Sequence, residues 1–141
     1  MPLPYLACML AVSAAYHLPQ HVLPSIQAVE GGYPGAEHLN SDGSTDLGVM
    51  QINTRWVQPI REYAISVGHP PMTEAQTRRL LTIDPCFNIA MAAAILQYEW
   101  RQAGHDWLTA VGNYHSHTAE LHQSYLAQVT AKARMLFAAG G

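Results

Sequence analysis

Apolar residues recur at helical spacing along most of this chain, and the one long interruption lies between residues 31 and 53. The pattern predicts a first helix from about Tyr5 to Tyr16, broken by "HLPQH". A second is predicted from about Gln20 to Glu30, with Pro24 close to its first turn and Gly31-Gly32 at its end. The interruption holds the expected β-structure. Asp42-Gly43 is a hairpin-turn dipeptide, and Thr45 to Ile52 reads as strand. A short helix is expected after Pro59. Thr73 and Gln76 form a capping box for another, to about Leu81. Asp84 as N-cap with Pro85 at the first helical position opens a helix to about Ala103. That helix is apolar nearly all round from Phe87 to Leu96, the mark of a buried central element. A short helix over Trp107 to Gly112 follows. The last starts near Ala119 with Leu121, Tyr125, Val129, Ala133 and Leu136 as its inward stripe, and Gly140-Gly141 reads as a frayed end.

Composition narrows the class. The 141 residues fit a single domain, 1–141, with one core. Hydrophobic residues make up 49% and charged ones 12%, so the chain packs as a globule. A net charge of −3 gives no reason to expect nucleic acid or an acidic membrane surface as partner. No apolar run is long enough to span a bilayer. The stretch "LACMLAVSAA" resembles a signal h-region, but no Lys or Arg precedes Arg55, and it is read as the domain's first helix. Spacing leaves Cys8 and Cys86 open: two buried thiols, or a bond that would add about 3–5 kcal/mol by closing a long loop.

Glu30 is the first candidate for chemistry. Val22, Ile26 and Val29 share one helical face, and Glu30 falls on it. Partial burial and the helix C-terminus both disfavour a carboxylate, and a carboxyl protonated at neutral pH is what a general acid needs. The plain alternative is a glutamate escaping to solvent at a helix end. Sixteen residues on, Asp46 lies beyond a turn among hydrogen-bonding groups. It is either a turn residue bonding its own backbone or the ionised partner of a glycosidase carboxyl pair.

The segment "NSDGSTDLGVMQINTRW" resembles the β-hairpin of animal c-type lysozymes. The chain as a whole resembles bacterial lytic transglycosylases of the soluble-lytic type, especially the small ones that accompany type III and type IV secretion, conjugation and pilus systems. Four stretches carry that likeness in family order: "VLPSIQAVEGG", "DLGVMQIN", "DPCFNIAMAAAIL" and "AVGNYHSHTAELHQSYLAQV". The resemblance implies a mainly α, lysozyme-like domain with a small β-hairpin lining the substrate cleft. It implies Glu30 as catalytic acid/base. Gln51, Asn53 and the backbone near Met50 would hold the sugar, and Tyr114 would face it across the cleft. It also implies a Cys8–Cys86 disulfide, and with it an oxidising, periplasmic or exported location. Peptidoglycan strands are the implied substrate and a secretion, conjugation or pilus machine the implied partner, with no cofactor and a monomeric protein.

The chain departs from the family pattern at three points. Gly31 follows Glu30 where the family usually has serine. Tyr114-His115 replaces Tyr-Asn. Pro24 lies inside the catalytic helix. Two rival readings follow: a hydrolytic muramidase that uses Glu30 with Asp46, and a peptidoglycan-binding scaffold with a weak site. His115, His117 and His122 match no familiar zinc spacing, so no metal is expected. Trp56 is open between sugar stacking and core packing. Trp100 and Trp107 are expected in the core.

Overall fold

The computed structural model describes residues 5–138. Its helices follow the capping signals closely. α1 spans Leu6–Tyr16 and α2 Val22–Glu30. A single 3-10 turn, Thr54–Trp56, leads into α3, Val57–Ser66. α4 covers Glu74–Ile83, α5 Pro85–Gln102, α6 Trp107–His115 and α7 Ala119–Phe137. Three short antiparallel strands, β1 (Glu37–Leu39), β2 (Thr45–Leu47) and β3 (Ile52–Asn53), lie in the order β1-β2-β3. The protein is therefore mainly α with one small sheet, as expected.

The capping box at α4 forms in full: the Thr73 hydroxyl accepts from Gln76 N–H and the Gln76 amide accepts from Thr73 N–H. Asp84 closes α4 and opens α5. Its N–H donates to Leu80 O, and its carboxylate accepts from Phe87 N–H at 3.0 Å. α3 begins two residues before Pro59, since a proline in the first turn removes an N–H that has no helical partner.

Three expectations are corrected. The strand expected from Thr45 to Ile52 stops at Leu47, turns through Gly48–Gln51 and resumes at Ile52. Gly48 at φ 69° and Gln51 at φ 53° cannot belong to an extended strand. α6 runs three residues past Gly112, because Gly112 packs directly against the His122 ring and does not end the helix. In α7, Tyr125 and Val129 are buried and Ala133 and Leu136 half-buried, but Leu121 is 53% exposed. His122 turns inward in its place, with Nδ1 donating to Asn113 Oδ1 at 3.0 Å and lying 3.3 Å from Ser116 O. Gly140-Gly141 lie outside the described residues.

The chain divides into two compact units, one formed by the segments before Glu30 and after Met91, the other by Glu30–Met91. The first has a core of Met9, Leu23, Ile26, Ala93, Leu96, Ala110 and Tyr125. Trp100 and Trp107 belong to this unit but are half-buried, not core: they stack on each other at 5.2 Å, and His105 stacks on Trp100 at 4.2 Å. The second unit is built around Leu47, Val49, Met50, Ile52, Ile60, Leu81 and Ile89. Cys8 and Cys86 are disulfide-bonded.

Candidate functional site

Glu30 is the last residue of α2 and is half-buried. The chain leaves it through Gly31 at φ 67° and then Gly32, which is buried. A Cβ on Gly32 would run into the backbone oxygens of Gly48 and Val49. Backbone therefore lies on backbone here, and the segment after Glu30 is seated directly on the Gly48–Gln51 turn. A Cβ on Gly48 would in turn strike Leu81 O and the Asn88 amide. Only glycine fits at either contact.

Asn88 holds that turn from beneath. It lies on α5 and is fully buried. Its Oδ1 accepts from Met50 N–H at 2.9 Å, and its Nδ2 donates to Leu47 O at 2.9 Å and Leu81 O at 2.8 Å. One side chain thus satisfies three backbone groups, Leu47 O at the end of β2, Met50 N–H in the turn and Leu81 O on α4, and its own amide has both donors and its acceptor occupied. Met50 is fully buried and its N–H is engaged by Asn88, so its part is to anchor the turn. Gln51, half-buried, folds back: its backbone N–H and its Nε2 both donate to Gly48 O, at 3.1 and 3.0 Å. That leaves the Gln51 amide oxygen as the accepting end of the turn.

The sheet presents a second polar group. Leu47 and Ile52 pair in register and are buried, so Asp46 and Asn53, also paired, occupy the opposite face. Asp46 Oδ1 accepts from Asn53 Nδ2 at 3.0 Å, and the same Nδ2 donates to Ser44 Oγ at 2.9 Å. Asn53 Oδ1 accepts from Arg55 N–H, which caps the 3-10 turn. Asn53 is thereby spent on organising the sheet edge around Asp46. His38, unremarked in the sequence, pairs in register with Asp46 on the other side. At the β1–β2 turn, the Asp42 carboxyl is held below its ordinary value by the Ser44 hydroxyl and N–H. Trp56 ends the 3-10 turn half-buried, with the Arg55 guanidinium 5.6 Å from its ring centre.

Glu30, Asp46, Met50, Gln51, Asn53 and Trp56 all fall in the Glu30–Met91 unit. Tyr114 belongs to the other, buried in the last turn of α6. Sequence reasoning placed Gly32 and Asn88 within "VLPSIQAVEGG" and "DPCFNIAMAAAIL" but gave neither a part in this arrangement. The available signal for Asn88 was its isolation: it is the one polar residue between Phe87 and Leu96.

The sequence profile of the transglycosylase SLT domain matches residues 7–136. The chain belongs to the transglycosylase SLT family. Among curated relatives, invasion protein IagB of Salmonella typhimurium is 32% identical over 113 residues, 79% of this chain and 63% of the relative. Protein IpgF of Shigella flexneri is 30% identical over 105 residues, covering 74% and 61%, and that of Shigella sonnei is 30% identical over 121 residues, covering 83% and 72%. The chain thus spans somewhat under two thirds of the length of the Salmonella relative. In this SLT-family member the four stretches singled out by resemblance include the C-terminus of α2, the Gly48–Gln51 turn, the Asn88 segment of α5 and the α6–α7 region.

Proposed function

We propose that the protein is a lytic transglycosylase that cleaves the β-1,4 bond between N-acetylmuramic acid and N-acetylglucosamine in peptidoglycan. The observation that supports this best is the seating of the Glu30 segment, through Gly32, on the Asn88-braced turn that carries Gln51. A general acid must be held in fixed relation to the groups that grip the sugar, and backbone contact without an intervening side chain does that. In this reading Glu30 donates its proton to the glycosidic oxygen as the C–O bond breaks. Gln51 binds the sugar, and Tyr114 helps stabilise the oxocarbenium-like charge. Glu30, now a carboxylate, takes the proton from the muramic C6 hydroxyl, whose oxygen closes on the anomeric carbon. The product is a 1,6-anhydro end, and no water is consumed.

The disulfide fits an exported, periplasmic protein. Relationship to an invasion protein fits a wall-opening role beside a secretion, conjugation or pilus apparatus. A hydrolytic variant draws on a separate observation: Asp46 is held in place by Asn53, as a carboxylate that stabilises a glycosyl cation must be. Digestion of purified sacculi by the protein and by Glu30→Gln, with products read by mass spectrometry, tests both. Anhydro-muramyl ends that disappear in the variant support the transglycosylase. Ordinary reducing ends make it a hydrolase and bring Asp46 into the chemistry. Sacculi bound but uncut by both proteins leave a scaffold.

A further inference from the structure

The mechanism above leaves one buried carboxyl without a task. Glu99, on α5, is 3% exposed. Its two oxygens lie 3.2 and 3.1 Å from Nε2 of His117, which is its one polar partner among the described residues. The His117 side chain is itself 64% exposed and stands in the short connection between α6 and α7. A carboxylate taken this far out of water is costly and adds little net stability even when paired. A core position filled for packing alone is better served by an apolar side chain. What the pair holds is the segment three residues past Tyr114. The same segment is pinned from α7, where His115 stacks on Tyr125 at 4.6 Å and His122 bonds Asn113 and Ser116. Those contacts tie it to one neighbouring helix, and Glu99 supplies the tie to α5.

We propose that Glu99 and His117 are positioning residues for Tyr114: a buried carboxylate fixes the imidazole, and the imidazole fixes the last turn of α6. This rests on the transglycosylase reading wherever activity is the readout. The test is Glu99→Gln, which keeps the size of the side chain and removes its charge, together with His117→Leu. Turnover on isolated glycan strands, thermal midpoints and ring signals of selectively labelled histidine and tyrosine are measured for each. The expected result is a kcat at least about tenfold lower with KM within about twofold, a size set by small misplacements of an active-site group. In Glu99→Gln the thermal midpoint should stay within a few degrees and the His117 and Tyr114 ring signals should both move; His117→Leu, which leaves a buried carboxyl without its partner, should melt lower and move the Tyr114 signal as well. A midpoint that drops while kcat per folded molecule holds would reduce the pair to a structural role and overturn the proposal. If the unaltered protein releases no anhydro product, the transglycosylase reading fails by itself. The ring signals then still decide: Tyr114 unmoved in Glu99→Gln overturns the pairing, and Tyr114 displaced upholds it.

Discussion

Asn88→Asp isolates the central brace of the site with almost no change of shape. In the native protein the amide nitrogen faces two carbonyls, Leu47 O and Leu81 O, and the amide oxygen faces Met50 N–H. A carboxyl keeps the contact to Met50 N–H. It sets an oxygen against the two carbonyls in a position with no exposure to water. Each buried carbonyl left without a donor costs about 1–3 kcal/mol, so roughly 2–6 kcal/mol is expected for the two. A chain of this length loses about 3 °C in thermal midpoint per kcal/mol, which places the drop at roughly 6–18 °C. Asn88→Leu removes the acceptor facing Met50 N–H as well and should fall at least as far. Circular dichroism melts at neutral pH give the midpoints, and urea titrations give the free energies. Activity at a temperature where every variant is folded should also fall, because the freed turn carries Gln51. An Asn88→Asp protein that melts within about 2 °C of the unaltered one would refute the argument that a single amide holds the turn.

Three shorter tests follow from the same geometry. Gly32→Ala has no free volume, so the Glu30 segment must lift from the turn; strain of about 1–3 kcal/mol is expected by melting, with a larger loss of glycan cleavage than of stability. Ser44→Ala removes the hydroxyl that contributes most to the lowered Asp42 carboxyl and leaves the backbone N–H bond in place. The stability linked to that depression is present above the ordinary aspartate value of 3.8 and is lost as pH falls below it and through the lower value of the folded protein, so the gap between melts of the two proteins should narrow in acid. Reduction of the Cys8–Cys86 bond, whose Cys86 is exposed, should lower stability by about 3–5 kcal/mol, read as a melting shift on adding a thiol reductant.

Helix ends were the most legible part of the chain, because capping is local chemistry. Thr73 with Gln76, and Asp84 with Pro85, each act on backbone groups within three residues. The Gly48–Gln51 turn was not legible. Leu-Gly-Val-Met-Gln-Ile has the apolar content of a strand, and its conversion to a turn depends on Asn88, about forty residues away. Leu121 failed for a similar reason: spacing put it on the inward stripe of α7, but the space beside Gly112 goes to the ring of His122. Glu30 stood out as a carboxyl ending an apolar helix. What fixes it, a glycine two residues on pressed to a distant carbonyl, leaves no periodic trace.

The backbone-to-backbone seating at Gly32 and Gly48 also decides where this protein can be lengthened. Between residues 47 and 51 an added residue would break the spacing of Leu47 O and Met50 N–H that Asn88 bridges, and at 31–33 it would slide Gly32 off the turn. The tip at 41–43 is different: Ser41, Asp42 and Gly43 are all exposed, and nothing lies within 4 Å of a side chain built on Gly43. A short epitope or fluorescent-label motif inserted there should leave the fold intact, whereas the same insertion after Gly48 should yield insoluble protein. The tip of the sheet is therefore the place for a handle with which to follow this SLT-family protein.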